Sequence, residues 1–213
     1  TSFVTACAPP GGGRNEVTPR LFRHFNMFWV PNLSKKSMEL IFSSILKGFL
    51  RQDSTSNLDM YSDTIVRASV DIYEKTIKEF LPTPAKSHYT FNLRDLSKVI
   101  QGILEIKHKD LDDKEMLVSI WVHEVYRVFR DRLINDQDND KFNDIVNKLM
   151  QKHLTISWEK EDYVDILFGD FDNAPERDYV KLPAPEELIP RLNDYLESYN
   201  VSSTTPMNLV FFN

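Results

Sequence analysis

The sequence predicts a mainly α chain: an antiparallel helical bundle, preceded by a strand–loop–helix–strand segment that reads as the remnant of an α/β sheet domain. Three observations carry this reading. Apolar residues recur at helical spacing in successive stretches from about residue 34 to residue 153, separated only by short polar breaks. The first thirty residues instead set two short apolar runs around a glycine- and proline-rich loop and a brief basic segment. Finally, 213 residues with 41% hydrophobic and 27% charged content suffice for a folded chain with a substantial core.

Taken in order, Phe3 to Ala8 reads as a strand. Ala8 to Asn15 carries two prolines followed by three glycines and is expected to be a loop. It lacks the Gly-Lys-Ser/Thr ending of a Walker A phosphate cradle. Thr18 followed by Pro19 starts a short helix bearing Arg20, Arg23 and His24, because proline suits the first helical position. Phe25 to Val30 is expected to be a buried strand closed by Pro31.

Beyond Pro31 the pattern changes. Ser34 opens a helix whose apolar face is Met38, Ile41, Phe42, Ile45, Leu46 and Phe49, and Asp53 to Asn57 is a polar linker. A second helix runs from about Leu58 to Phe80, on Ile65, Val66, Ser69, Ile72, Tyr73, Thr76, Ile77 and Phe80, and is ended by Pro82 and Pro84. Asn92 caps a third, with Asp95 in its first turn and Leu93, Leu96, Ile100, Ile103 and Leu104 on its apolar face. Asp110 or Asp112 begins a fourth through Met116, Leu117, Ile120, Trp121, Glu124, Val128 and Leu133. A fifth spans about Asn139 to His153. Tyr163 to Gly169 and Tyr179 to Leu182 read as extended pieces, and Pro185 starts a final helix reaching about Tyr199. The ends, apolar at Phe3 to Ala8 and again at Met207 to Phe212, are those expected of a piece of a longer polypeptide.

Composition excludes several functions. A formal charge of −6, from 32 acidic and 26 basic residues, argues against nucleic acid as a partner. The single Cys7 rules out an intrachain disulfide and suits a reducing compartment. No apolar run reaches transmembrane length and no signal-peptide pattern opens the chain, so no membrane partner is expected. His24, His88, His108, His123 and His153 match no compact metal-ligand spacing, and His123-Glu124 is not followed by the second histidine of HExxH. His123 and Glu124 are expected to hydrogen-bond within the bundle or tie it to the sheet domain. No nucleophile sits at a GxSxG turn.

Two sets of arginines remain. Arg94 lies in the first turn of the Asn92-capped helix, where free amide donors and the positive end of the macrodipole disfavour a cation. An anion such as phosphate between the guanidinium and the helix start would make it favourable. The plain alternative is a surface carboxylate as partner, worth little either way. Arg20 and Arg23 sit roughly on one side of the short helix and could reach a neighbour's phosphate as a finger, or be solvated or paired locally. Arg127, Arg130 and Arg132 read as a helical i,i+4 network with Asp131 and neighbouring acids.

Together these stretches resemble dynein heavy chains of the axonemal type, at the junction of the third and fourth AAA+ modules. Ala8 to Asn15 with Val17 to Asn26 is similar to the end of the third module's large subdomain. Tyr89 to Lys98 resembles its sensor 2 segment, Trp121 to Glu124 with Arg127 to Leu133 a helix of its small subdomain, and Pro206 to Val210 the lead into the fourth module.

The resemblance implies an organisation of residues 1–33 as large-subdomain remnant and 34–156 as helical lid. Residues 157–200 would be an extended arm and C-terminal helix, and 201–213 the linker onward. It further implies that Arg94 is the sensor 2 arginine reaching the terminal phosphate, and that Arg23, with Arg20 as fallback, is the finger toward the preceding module. The sensor 1 position falls at Ala8, whose side chain cannot orient water. Parent cofactors would be ATP or ADP with Mg2+, none being expected in the fragment itself, which lacks Walker A and B elements and is expected to be inactive alone. Implied partners are neighbouring AAA+ modules and, through other regions of the parent, microtubules and intermediate and light chains. The implied parent is a minus-end-directed motor of the cytoskeleton in the axonemes of cilia or flagella, with its coiled coil elsewhere. The competing readings are a non-enzymatic helical scaffold and the small subdomain of an AAA+ protein acting on nucleic acid.

Overall fold

The computed structural model describes residues 2–7, 16–52, 57–156, 158, 166–171 and 177–210. The chain divides into two units, Thr1–Ser34 and Lys35–Asn213.

In the first unit the regular element among the described residues is α1, Pro19–Phe22, entered from an extended Thr18 with Pro19 at its first position. The Thr18 side chain makes no capping bond. The two expected strands are not formed. Residues 2–7 and 25–30 carry no strand, and the second run faces water, with Phe28 at 89% and Val30 at 83% exposure. A strand completes its hydrogen bonds only with a neighbour, and no described residue of this unit supplies one. The glycine-rich loop, with Ala8, lies outside the described residues.

Among the described residues the second unit holds six more α-helices: α2 (Lys35–Leu50), α3 (Ser62–Glu79), α4 (Leu93–Ile103), α5 (Lys114–Val128), α6 (Asp136–Leu154) and α7 (Pro185–Ser202). α3 packs against α2, α4 and α6, and α4 against α5. α5 is the centre of the core. Leu117, Val118, Ile120, Trp121, Val122 and Val125 are all buried, a spread around most of the helix circumference rather than one stripe. The Trp121 indole N–H donates to Ser69 Oγ at 2.8 Å, and Ser69 Oγ donates to the Ile65 carbonyl at 2.8 Å, so the one polar edge of this ring is satisfied by α3.

Asp71 of α3 ties three helices together. Its carboxylate pairs with Lys35 at the start of α2 and accepts from Lys152 at 3.0 Å and His153 at 2.8 Å at the end of α6. Burial alone would push this carboxyl up, but the bonds from Lys35, His153 and Lys152 hold it well below the usual range.

Several elements differ from expectation. α2 buries Met38, Phe42, Leu46 and Leu50, one narrow stripe, while Ile41 and Ile45 are exposed and Phe49 is half-buried. Residues 57–61 form a 3-10 turn ahead of α3, and Ile77 is exposed. α5 is capped by Asp113, whose side chain accepts from Met116 N at 2.8 Å, instead of by Asp110 or Asp112. The reason is that Leu111 is buried, which places Asp110 in a 3-10 turn before it and leaves Asp113 at the helix mouth. α5 also stops at Val128, and Arg130–Arg132 is a separate 3-10 turn. α6 begins three residues before the expected start and ends at Thr155, which adopts the left-handed conformation at φ 59°.

The arm after α6 contains β1 (Phe168–Gly169) and β2 (Val180–Lys181), antiparallel, with Phe168 opposite Lys181 and Gly169 opposite Val180. α7 starts at Pro185 with Glu186 and Glu187 in its first turn, where carboxylates oppose the dipole. Beyond α7, the Asn200 side chain accepts from Met207 N at 2.8 Å and donates to its carbonyl at 3.0 Å, fastening residue 207 to the helix end. Among the described residues no helix is long and apolar enough to cross a membrane.

Candidate functional site

The start of α4 is built as its sequence dictates. Asn92 is extended, at φ −139° and ψ 174°, and its Oδ1 accepts from Arg94 N at 2.9 Å. In return Asn92 N donates to Asp95 Oδ2 at 2.9 Å, which completes a capping box. Leu96, Val99, Ile100 and Ile103 anchor the helix in the core, and at its start Asn92 and Arg94 are left exposed.

Arg94 is exposed on that first turn, and no described carboxylate pairs with it. The surface ion pair that would have made it ordinary is therefore absent among the described residues. Beside it is a cleft lined by Thr90, Asn92, Asp95, Lys98, Arg127, Val128 and Arg132. Three cations and one carboxylate share this cleft; Asp95 lies 3.9 Å from Lys98 Nζ and 3.2 Å from Arg132 Nη1. Arg94 is not among the residues that line it.

Arg127, which lines the cleft, is held by a buried acid. Glu124 on α5 is fully buried and accepts from Arg127 Nη2 at 2.5 Å and Nε at 3.1 Å, and from the Tyr179 hydroxyl at 2.5 Å. Its bond to Glu124 raises the Arg127 guanidinium pKa further. Burial, and then the hydrogen bond to Glu124, push the Tyr179 phenol well up. α4 passes close to this group at Gly102, where a Cβ would overlap the Glu124 carboxylate. Of the expected network with Asp131 and neighbouring acids, Arg127 takes Glu124 rather than Asp131. The helix ends before residue 131, so i,i+4 geometry is lost, and Glu124 one turn earlier takes the guanidinium. The Asp131 carboxyl is pushed up by burial.

His123 is held inside the second unit: Nδ1 donates to the Ile166 carbonyl at 3.1 Å, its ring lies against Phe168, and burial pushes its pKa down. Lys107 and Lys109, in the stretch between α4 and α5, pair with Asp178 just ahead of β2. Arg20 and Arg23 lie in the first unit, both exposed, with Arg23 Nε donating to His24 Nε2 at 3.1 Å. Among the described residues no three His, Cys, Asp or Glu side chains gather as a metal site.

Comparison with known proteins follows this geometry. Residues 41–139, from within α2 to the first turn of α6, match the family model "Dynein heavy chain, ATPase lid domain". Residues 1–33 match "P-loop containing dynein motor region". The chain is 44% identical over 218 residues to human dynein axonemal heavy chain 6, covering 99% of this chain and 5% of that relative. It is 38% identical over 224 residues to mouse dynein axonemal heavy chain 1, with coverage of 99% and 5%. With mouse dynein axonemal heavy chain 12 it shares 37% over 229 residues, with coverage of 99% and 7%.

Proposed function

The chain belongs to the dynein heavy chain family, and from that premise we propose that it is the nucleotide-sensing lid segment of one motor module, the third AAA+ module of an axonemal heavy chain. Because it spans about a twentieth of the length of its curated relatives, the motor's activity enters only as what this segment would serve. That activity is ATP-driven, minus-end-directed movement on microtubules in cilia or flagella.

The single observation that carries the reading is Arg94. Its guanidinium is exposed on the first turn of α4, without a described carboxylate partner and against the helix dipole. A terminal phosphate is the anion that relieves both costs, through charge-assisted bonds from the guanidinium and the field of the helix start. In this role the bundle α2–α6 carries Arg94 toward or away from nucleotide as the lid rotates. Arg23, or Arg20 in its place, would reach the nucleotide of the preceding module and stabilise developing charge there. ATP and Mg2+ would be held by the parent's P-loop and acidic residues, since this chain contains no Gly-Lys-Ser/Thr cradle. The small side chain of Ala8 at the sensor 1 position suits a regulatory site more than a rapid hydrolase. Neighbouring modules of the same chain are the direct partners.

The test is made in the heavy chain that supplies the P-loop. Arg94→Ala is expected to weaken ATP affinity at this module about tenfold or more, the equivalent of one charge-assisted contact. Unchanged affinity would sink the assignment.

A further inference from the structure

We propose that Arg132, on the turn between α5 and α6, is the positioning residue for Arg94; the proposal rests on the nucleotide-sensing reading above. The Arg132 guanidinium makes four contacts with the segment that leads into α4. Nη1 lies 3.2 Å from Asp95 Oδ2, the same oxygen that accepts from Asn92 N in the capping box. Nη2 donates to the carbonyls of His88 and Thr90, each at 3.0 Å. The guanidinium carbon lies over the Phe91 ring, 4.6 Å from its centroid. In return His88 Nε2 donates to the Arg132 carbonyl at 2.9 Å.

Next to this, the Tyr89 hydroxyl accepts from Ile134 N at 3.0 Å and donates to Asp138 at 2.9 Å, and Lys86 pairs with the same carboxylate. Residues 86–95 are thus fastened to residues 130–138, and Arg132 grips both the lead-in segment and the capping box. The planar fork is what the arrangement needs. It serves two carbonyls and a carboxylate in set directions while lying over a ring, and a lysine ammonium cannot do all of these together. Arg94 N hangs from Asn92 Oδ1, two residues beyond the gripped Thr90 carbonyl. A small shift of this lead-in therefore moves the Arg94 guanidinium, and misplacement by about an ångström is enough to weaken a phosphate contact.

The experiment has two arms. In this chain, amide hydrogen exchange at Asn92 to Asp95 is followed by NMR in Arg132→Lys and Arg132→Ala. We expect these amides to exchange about tenfold faster in both variants, with α6 amides unchanged. Unchanged exchange, or acceleration spread evenly over the bundle, would overturn the bracing. In the heavy chain, ATP affinity at this module is measured for R94A, R132K and the double variant. R132K is expected to lose about as much affinity as R94A, and the double variant no more than R94A alone, because the second residue acts through the first. Additive losses, or wild-type affinity in R132K beside a large loss in R94A, overturn the positioning role while leaving the nucleotide reading intact. Wild-type affinity in R94A overturns both.

Discussion

Phe28-Trp29-Val30 and Ile120-Trp121-Val122 are almost the same tripeptide with opposite fates. Trp29 is 78% exposed and Trp121 fully buried. The two runs are equally apolar, so hydrophobicity does not separate them. What does is where each backbone finds its hydrogen bonds. α5 closes its own, residue to residue along the helix, and then needs only a surface to bury against, which α3 and α4 provide. Residues 25–30 would need a neighbouring strand, and none is described in their unit. Apolar character states that a segment gains from burial; the architecture around it decides whether burial happens.

The comparison can be broken most directly at the tryptophans' core member. Trp121→Ala should cost about 3–5 kcal/mol in urea unfolding, through lost burial and the cavity left among α3, α4 and α5. A loss near 1 kcal/mol would mean that this centre is not packed as described. Asp71→Asn comes next, at about 2 kcal/mol near neutral pH, because three donors lose their anion. The folded carboxyl is held below its unfolded range, so its contribution is complete above that range and is lost as pH falls through the folded pKa. The gap between wild type and variant should accordingly narrow as pH drops below about 4. An unchanged gap in acid would remove Asp71 as its source.

Tyr179→Phe sharpens the picture from a third side, since the arm is extended like residues 25–30 yet is partnered. Losing one hydroxyl on a buried carboxylate should cost about 1 kcal/mol. No loss would show that Glu124 is satisfied by Arg127 alone. The smallest effect belongs to Trp29→Ala, expected to change stability by less than about 0.5 kcal/mol. A core-sized loss there would show that the first unit buries this ring after all.

The helical region was legible because its signals are local. Asn92 and Asp95 announce the start of α4 within four residues, and Ile65, Ser69, Ile72 and Thr76, spaced along α3, are all buried. Errors arose where several residues were equally competent. Asp110, Asp112 and Asp113 can each cap, and only the burial of Leu111 selects among them. Likewise Ile41 and Ile45 are as apolar as Phe42 and Leu46, and the neighbours of α2 decide which of them is covered. At the site, Arg94 could be singled out from its place in the first turn. Arg132 and Tyr179 could not, because their partners lie far away in sequence: Thr90 and Asp95 for one, Glu124 for the other. One usable signal existed. Glu124 falls among the inward positions of α5, and a carboxylate there demands a cation or a hydroxyl from elsewhere.

The Asp71 arrangement has a dynamic consequence. The start of α2, the middle of α3 and the end of α6 share one anion, so moving any one of these helices away costs it one or more of its donors. Fraying at the α6 terminus is thereby tied to fraying at the α2 terminus on the other side of α3. The three should open together, as one cooperative unit, and the lid would behave as a rigid plate in motion rather than as a stack of independently loosening rods.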